Sequence, residues 1–293
     1  MKKVWFITGS SRGLGRSFTE AALSQGHQVA ATARNPEQLQ ELVEKYGNLI
    51  HPIQLDVTDE AQVNKAVEAA VTQFGKIDIL INNAGFAISG AAEAFSKEQI
   101  ESQINTNLYG AIYVTRAVLP VMRKQRSGYI IQISSIGGRA GRPGLSIYHA
   151  TKFGLEGFSE SVAKEVAPLG IKLTIVEPAG FRTDWGGSSM SFAKHISDYD
   201  ASVGAMESYF REGTHLPVGD PAKAAQVILK LAENPNPPMR LVLGSEGAAL
   251  IKQFEKQKMA EFEEWLPVSV STDHAESTNF FESAAGKFLQ QSR

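Results

Sequence analysis

The sequence predicts a doubly wound α/β fold, one seven-stranded parallel sheet with helices on both faces. Three observations predict it. Short β-branched runs alternate with longer helical patterns along most of the 293 residues, the order that builds parallel sheets through right-handed crossovers. Most of the short runs are almost continuously apolar, as strands covered on both sides are. The first of them runs straight into a glycine-rich turn that opens a helix, Thr8-Gly9-Ser10-Ser11-Arg12-Gly13-Leu14-Gly15.

The elements follow in order. Val4 to Thr8 reads as a strand, Leu14 to Gln25 as a helix closed by Gly26, and Gln28 to Ala33 as the second strand. Pro36 to Tyr46 is helical, Leu49 to Leu55 is a strand, and Asp59 caps a helix over Glu60 to Phe74 that ends at Gly75. Ile77 to Asn82 is the fourth strand, a long helical stretch lies within Lys97 to Arg126, and Tyr129 to Ser134 is the fifth strand. Tyr148 to Pro168 reads as a helix and Ile171 to Val176 as a strand. Asp220-Pro221 opens a helix to Glu233, with proline in the first turn where its missing N–H costs nothing. Met239 to Leu243 is the seventh strand.

Two segments leave this alternation. The insertion 185–216 is rich in Ser, Met and aromatics (Trp185, Met190, Phe192, Tyr199, Met206, Tyr209, Phe210) and is either extra packing or a mobile lid over a substrate. After Gly244, residues 245–293 read as a helical extension of the domain formed by 1–244. That extension has a charged amphipathic stretch around Leu250, Ile251, Phe254 and Phe262, a polar loop, and a short helix near Phe281 to Leu289.

Composition narrows the function. Lys plus Arg number 29 against 31 for Asp plus Glu, so no broad basic footprint for nucleic acid or a membrane surface is expected. With no cysteine there are no disulfides, thiolate metal sites or cysteine nucleophiles, and the six histidines form no H-E-x-x-H pair, so no metal is expected. The apolar run at Val4 to Ile7 is too short for a signal peptide, and no stretch is long enough to span a bilayer. A soluble, cytoplasmic protein is the expectation.

The glycine turn is built for an anion. Gly9 permits the tight turn, Gly13 lets the backbone approach a pyrophosphate, and Gly15 allows the helix to pack closely on the strand. The helix N-terminus then faces the phosphates, with Ser11, Arg12 and Leu14 in the same loop. An NAD site usually places an acid near the end of the second strand. Here the run is Val29-Ala30-Ala31-Thr32-Ala33-Arg34-Asn35, with no Asp or Glu between Glu20 and Glu37. Arg34 and Arg12 suit a 2′-phosphate instead, which selects NADP(H).

A second constellation carries the chemistry. Tyr148 and Lys152 sit four apart, on one helical face, where an ammonium favours the phenolate form of the tyrosine. Ser135 ends the fifth strand 13 residues earlier, and its hydroxyl is expected to bond the substrate oxygen beside the tyrosine. Asn82-Asn83-Ala84-Gly85 ends another strand on the same edge, and Asn107-Leu108-Tyr109-Gly110 lies on the following helix.

In order and spacing these motifs resemble the T-G-x-x-x-G-x-G, N-N-A-G, N-x-x-G, S and Y-x-x-x-K set of the short-chain dehydrogenase/reductase family, from Val4 to about Leu243. The resemblance implies a Rossmann-type fold and an NADP-dependent oxidoreductase that interconverts a carbonyl and an alcohol by hydride transfer. It implies Tyr148 as general acid/base and Lys152 as the residue that lowers its pKa and bonds the nicotinamide ribose. Ser135 would orient the carbonyl, and Asn107 would hold a water that links Lys152 to solvent. It places Asp56 and Val57 by the adenine, Asn83, Ala84 and Gly85 along the cofactor cleft, and Pro178, Gly180 and Thr183 by the nicotinamide.

One departure stands out: Pro178-Ala179-Gly180 has alanine where the family commonly has glycine after the proline. A homodimer or homotetramer through the helices within 97–126 and 148–168 is also implied. The aromatic insertion points to an apolar or ring-bearing substrate, and Arg139 and Arg142 are candidate contacts for an acidic group. Two other functions fit the scaffold: an NADP(H) sensor without turnover, and a redox-neutral isomerase or dehydratase. The intact Asn107, Ser135, Tyr148 and Lys152 set argues against the sensor.

Overall fold

The computed structural model describes residues 2–183, 190–212, 216–274 and 279–291. Strands β1 (Val4–Ile7), β2 (Gln28–Ala33), β3 (Ile50–Gln54), β4 (Ile79–Asn82), β6 (Gly128–Ile133), β7 (Ile171–Pro178) and β9 (Arg240–Leu243) form one sheet of seven. Its order is β3-β2-β1-β4-β6-β7-β9 and every pairing is parallel. The Rossmann-type expectation therefore holds. The order reverses direction between β1 and β4, and ligands of such sheets bind outside the strand ends at that crevice.

Alternation along β1 shows why both faces must be covered. Trp5 and Ile7 point into a core shared with α1 (Gly13–Ser24), α2 (Gln40–Tyr46) and α8 (Pro221–Glu233). Phe6 points the other way, into a core shared with α3 (Glu60–Phe74), α5 (Gly110–Gln125) and α6 (Ser146–Val166). Trp5, Phe6, Leu80 and Met122 are each at most 1% exposed, and burying a side chain of this size contributes about 1.5–3 kcal/mol.

The helix ends behave as their residues dictate. Asp59 accepts the Gln62 N–H at 3.0 Å, Gly75 closes α3 in the left-handed conformation, and Asp220 accepts from Ala222 and Lys223 at the start of α8.

The structure refines three of the expected elements. The stretch within Lys97 to Arg126 is α4 (Lys97–Ile104) and α5, joined by one π-helical segment over Asn105–Tyr109. Pro36 to Tyr46 divides into a 3-10 turn (Pro36–Leu39) and α2. The tail holds a helix far longer than its pattern suggests, α9 (Ser245–Val270), followed by α10 (Ala284–Gln291).

A small second sheet has no signal in the sequence reading. β5 (Ala87–Ser89) pairs in parallel with β8 (Met190–Phe192), which lies in the insertion together with α7 (Ala205–Glu212). Trp185 lies outside the described residues, as do the side chains of Tyr209 and Leu289.

The chain divides into two compact units, residues 1–251 and 252–293. The first holds the sheet. In the second, Met259, Phe262, Trp265, Phe280 and Phe281 are exposed. Among the described residues no helix is long and apolar enough to cross a membrane.

Candidate active site

The glycine turn leaves β1 at the switch point. Gly9 and Gly13 hold φ of 68° and 58°, a region that a side chain disfavours. Gly15 is required for a different reason: a Cβ there would lie 2.2 Å from the Gly9 carbonyl oxygen and 2.4 Å from Asn83 Nδ2. The turn is pinned from β4, since Asn83 Nδ2 donates to the Thr8 and Gly9 carbonyls at 3.0 and 3.1 Å. Thr8 Oγ1 in turn accepts from the Asn83 and Ala84 amides at 2.9 and 3.0 Å. Thr8 is buried, and its hydroxyl braces the turn from within.

No side chain caps α1 at Arg12, and no acid stands in its first turn. Its N-terminal amides and dipole therefore face outward, ready for an anion. Thr183 sits across from the loop: a Cβ on Gly13 would lie 3.8 Å from Thr183 Cβ. The alanine after Pro178 is accommodated, its N–H donating to the Leu243 carbonyl at 3.1 Å, and Gly180 follows it toward Thr183.

The charges around this end are divided. Arg16 is held by Glu20 at 2.6 Å and Glu41 at 2.7 Å. Arg12 and Arg34 are exposed, and among the described residues neither enters an ion pair. Asp56 accepts from the Thr58 amide and hydroxyl, an Asx turn that shapes the end of β3. Val57 beside it is buried, and a Cβ on Gly110 would come within 2.5 Å of it, which accounts for the glycine of N-x-x-G.

The reacting end lies at the same sheet edge. Tyr148, Lys152 and Asn107 are 5%, 5% and 1% exposed, so all three are buried polar groups that need partners. The Tyr148 hydroxyl is hydrogen-bonded to that of Ser135. Lys152 Nζ lies 5.7 Å from the Tyr148 ring centroid and donates to the Ile133 carbonyl at 2.9 Å. Asn107, in the π-helical segment, grips the Phe86 backbone at both ends: Nδ2 donates to its carbonyl at 2.8 Å and Oδ1 accepts its N–H at 3.0 Å. Gly85 lies between them, with a Cβ there 3.2 Å from Asn107 Oδ1 and 3.8 Å from Lys152 Nζ.

The electrostatics differ from the expectation that the ammonium depresses the phenol. Burial is the larger effect and pushes Tyr148 up to about 12, with the Ser135 hydrogen bond acting in the opposite sense. Burial also pulls Lys152 down to about 8, against the attraction of Glu156. In this geometry burial therefore favours the protonated form of the Tyr148 phenol.

Three further outcomes concern neighbouring residues. Arg139, a candidate contact for an acidic substrate, is instead paired with Glu177 at 3.3 Å. His149, between Tyr148 and Lys152 in the sequence, is buried and bonds the Gly137 carbonyl through Nδ1 at 2.9 Å, behind the turn that carries Ser135. From the insertion, Met190 joins a buried cluster with Ala87, Leu145 and Tyr148, and Phe192 and Phe210 pack against it.

A doubly wound sheet with a glycine turn at its switch point and a Tyr, Lys, Ser and Asn set beside it defines a Rossmann-type oxidoreductase. Comparison with known proteins agrees. The pattern described as short chain dehydrogenase matches residues 3–193. The chain is 45% identical over 273 residues to Oxidoreductase BOA17 of Botryotinia fuckeliana (strain B05.10), covering 93% of this chain and 100% of that one.

A solved short-chain dehydrogenase from Streptomyces avermitilis superposes with a TM-score of 0.87 at 38% identity, covering 93% of this chain and 98% of its own. A serine dehydrogenase complexed with NADP+ gives 0.71 at 29% identity, covering 82% and 94%. A 3-ketoacyl-(acyl-carrier-protein) reductase from Brucella melitensis, complexed with NADH, gives 0.70 at 25%, covering 82% and 96%. The chain belongs to the short-chain dehydrogenase family and is an oxidoreductase of that family.

Proposed function

We propose that this protein is an NADP(H)-dependent carbonyl reductase in which Tyr148 is the general acid. The observation that carries this reading is the pairing of the buried Tyr148 hydroxyl with the Ser135 hydroxyl, beside the buried side chain of Lys152. A carbonyl oxygen seated between the two hydroxyls receives a hydrogen bond from Ser135 and the proton from Tyr148. Lys152 offsets the negative charge left on the tyrosine, and Asn107 fixes the Phe86 backbone beside it.

The residues present fit a dinucleotide. Its pyrophosphate would rest on the uncapped start of α1, held by the amides of Gly9, Ser11, Gly13, Leu14 and Gly15, with Asn83 keeping that turn in shape. Asp56 and Val57 would border the adenine, and Ala84, Gly85, Pro178, Gly180 and Thr183 the nicotinamide half. When bound, the reduced nicotinamide supplies the hydride. The choice of NADP(H) over NAD(H) rests on Arg12 and Arg34, two exposed guanidinium groups that enter no ion pair among the described residues, with no acid at the end of β2 to bond the ribose hydroxyls.

Met190, Phe192 and Phe210 against Tyr148 support an apolar small-molecule substrate. The half-exposed ring of Tyr109, on a helix the family uses for assembly, supports a homodimer or homotetramer.

The test follows nicotinamide absorbance with NADPH and a panel of aldehydes, ketones and quinones, for the wild type and Tyr148→Phe. Turnover is expected to fall by about 10²–10⁴ in the variant, with NADPH binding by calorimetry unchanged. Wild-type protein that binds NADPH and reduces nothing in the panel would overturn the reading.

A further inference from the structure

Every fourth residue from Tyr148 along α6 lies on one face: Tyr148, Lys152, Glu156 and Glu160. Glu156 belongs to none of the motifs, yet it is 3% exposed, and a carboxylate is rarely buried so deeply without partners. Its Oε1 accepts the Ser134 hydroxyl at 2.8 Å and its Oε2 accepts Arg240 Nε at 3.0 Å. Gly138 rests against it: a Cβ there would stand 2.3 Å from Glu156 Oε1 and 2.6 Å from Ser134 Oγ. Both ends of the turn that presents Ser135 are thus seated on this one carboxylate. One helical turn earlier, Lys152 holds the Ile133 carbonyl, the last residue of β6.

We propose that Glu156 is a positioning residue of the catalytic set, clamping the Ser134–Gly138 turn behind Ser135 and serving as the countercharge that keeps Lys152 protonated. This rests on Tyr148 and Lys152 being the reacting pair. The two charges form an opposed couple: the ammonium fixes the strand end and the carboxylate fixes the turn, so Ser135 is set between them.

Other charged and titratable groups surround the couple. On α6 they are Tyr148, His149 and Glu160. Arg139 lies after the turn. Glu177 lies on β7, paired with Arg139 at 3.3 Å. Arg240 on β9 reaches Glu156, Glu160 and Glu177. Within this set Glu156 is the group whose charge opposes the effect of burial on Lys152.

The test separates charge from shape. Glu156→Gln keeps an oxygen for the Ser134 hydroxyl, removes the charge and gives up the acceptor of Arg240 Nε. Ser134→Ala keeps the charge and removes the donor. Lysine labelled with ¹³C at Cε reports the Lys152 titration by NMR, in protein without cofactor or substrate, assigned by its loss in Lys152→Arg.

In Glu156→Gln the Lys152 midpoint is expected about one pH unit lower than in the wild type, with Glu160→Gln unchanged. In Ser134→Ala the midpoint is expected to stay and kcat with NADPH to fall about tenfold at constant KM for NADPH. An unmoved Lys152 midpoint in a folded Glu156→Gln would overturn the countercharge. Should that variant not fold, full kcat in Ser134→Ala would overturn the clamp. A wild type that reduces no carbonyl, but whose Lys152 midpoint follows Glu156, would sink the reductase reading and leave this coupling standing.

Discussion

At the phosphate end of the cleft the working groups are backbone: amides at the uncapped start of α1, freed by glycines at positive φ and braced by Asn83 and Thr8. At the reacting end they are side chains: Tyr148, Lys152 and Asn107, each at most 5% exposed and held by hydrogen bonds that cross from one element to another. The two ends consequently fail in different ways. A backbone cradle is lost when a new atom occupies its space. A side-chain site is lost when one functional group is removed, even though the fold survives and can gain stability.

Lys152→Met breaks the reacting end most sharply. Turnover is expected to drop by about 10²–10⁴, while the protein becomes more stable at neutral pH. A lysine whose folded pKa is depressed to about 8 contributes stability only above its unfolded value of 10.5, and that contribution is lost as pH falls through 8. At pH 7 its burial is a cost, and an apolar side chain of similar length relieves it. Thermal unfolding at pH 7 and pH 10 checks this: the gain should shrink at the higher pH. A variant less stable than wild type at pH 7 would show that the Ile133 hydrogen bond outweighs the burial of charge.

Gly15→Ala tests the other end. The added methyl cannot coexist with the Gly9 carbonyl at 2.2 Å, so the turn must open. Overpacking of this kind costs about 1–3 kcal/mol, and NADPH affinity by calorimetry is expected to weaken by about tenfold or more while Tyr148 and Ser135 keep their geometry. Unchanged affinity would mean that the start of α1 is not where the phosphates rest.

Arg34→Asp sharpens the comparison within the phosphate end, since it alters a side chain that the cradle does not need for its shape. Removing a charge-assisted contact and placing an acid there should lower the NADPH-over-NADH affinity ratio by about 10–100-fold. The melting temperature should stay the same. The matched control is Arg16→Ala, because Arg16 is tied to Glu20 and Glu41 and its loss should leave the ratio alone.

What the sequence revealed follows the same division. The sheet and the glycine turn were legible because they rest on local periodicity and on residues with special backbone freedom. Tyr148, Lys152, Ser135 and Asn107 were legible as a spaced set, and the fold gathers them at one edge. The misses all depend on partners distant in the chain. Arg139 read as a candidate contact for an acidic group because Glu177 lies far along the sequence, and the pairing of Ala87 with Met190 has no local signal. Glu156 belongs to no sequence motif, although its place four residues after Lys152 was a usable hint. The raised pKa of Tyr148 was invisible for a related reason, because spacing shows a nearby ammonium but not how completely the fold excludes water.

Glu177 offers the smallest and most diagnostic effect. It sits wholly buried at the end of β7, pushed up to about 7 by burial and by Glu156, with Arg139 and Arg240 pulling the other way. A carboxyl whose folded pKa is raised contributes stability that is complete below its unfolded value of about 4.5 and is lost as the pH rises through 7. The wild type should therefore lose melting temperature relative to Glu177→Gln between pH 5 and pH 8, by a few degrees at most for a chain of this length. If the two curves run parallel, the arginines hold Glu177 ionised throughout, and the network behind the reacting end carries a fixed charge. If they diverge, that network takes up a proton near neutral pH, and the side-chain end of the cleft responds to pH where the backbone end cannot.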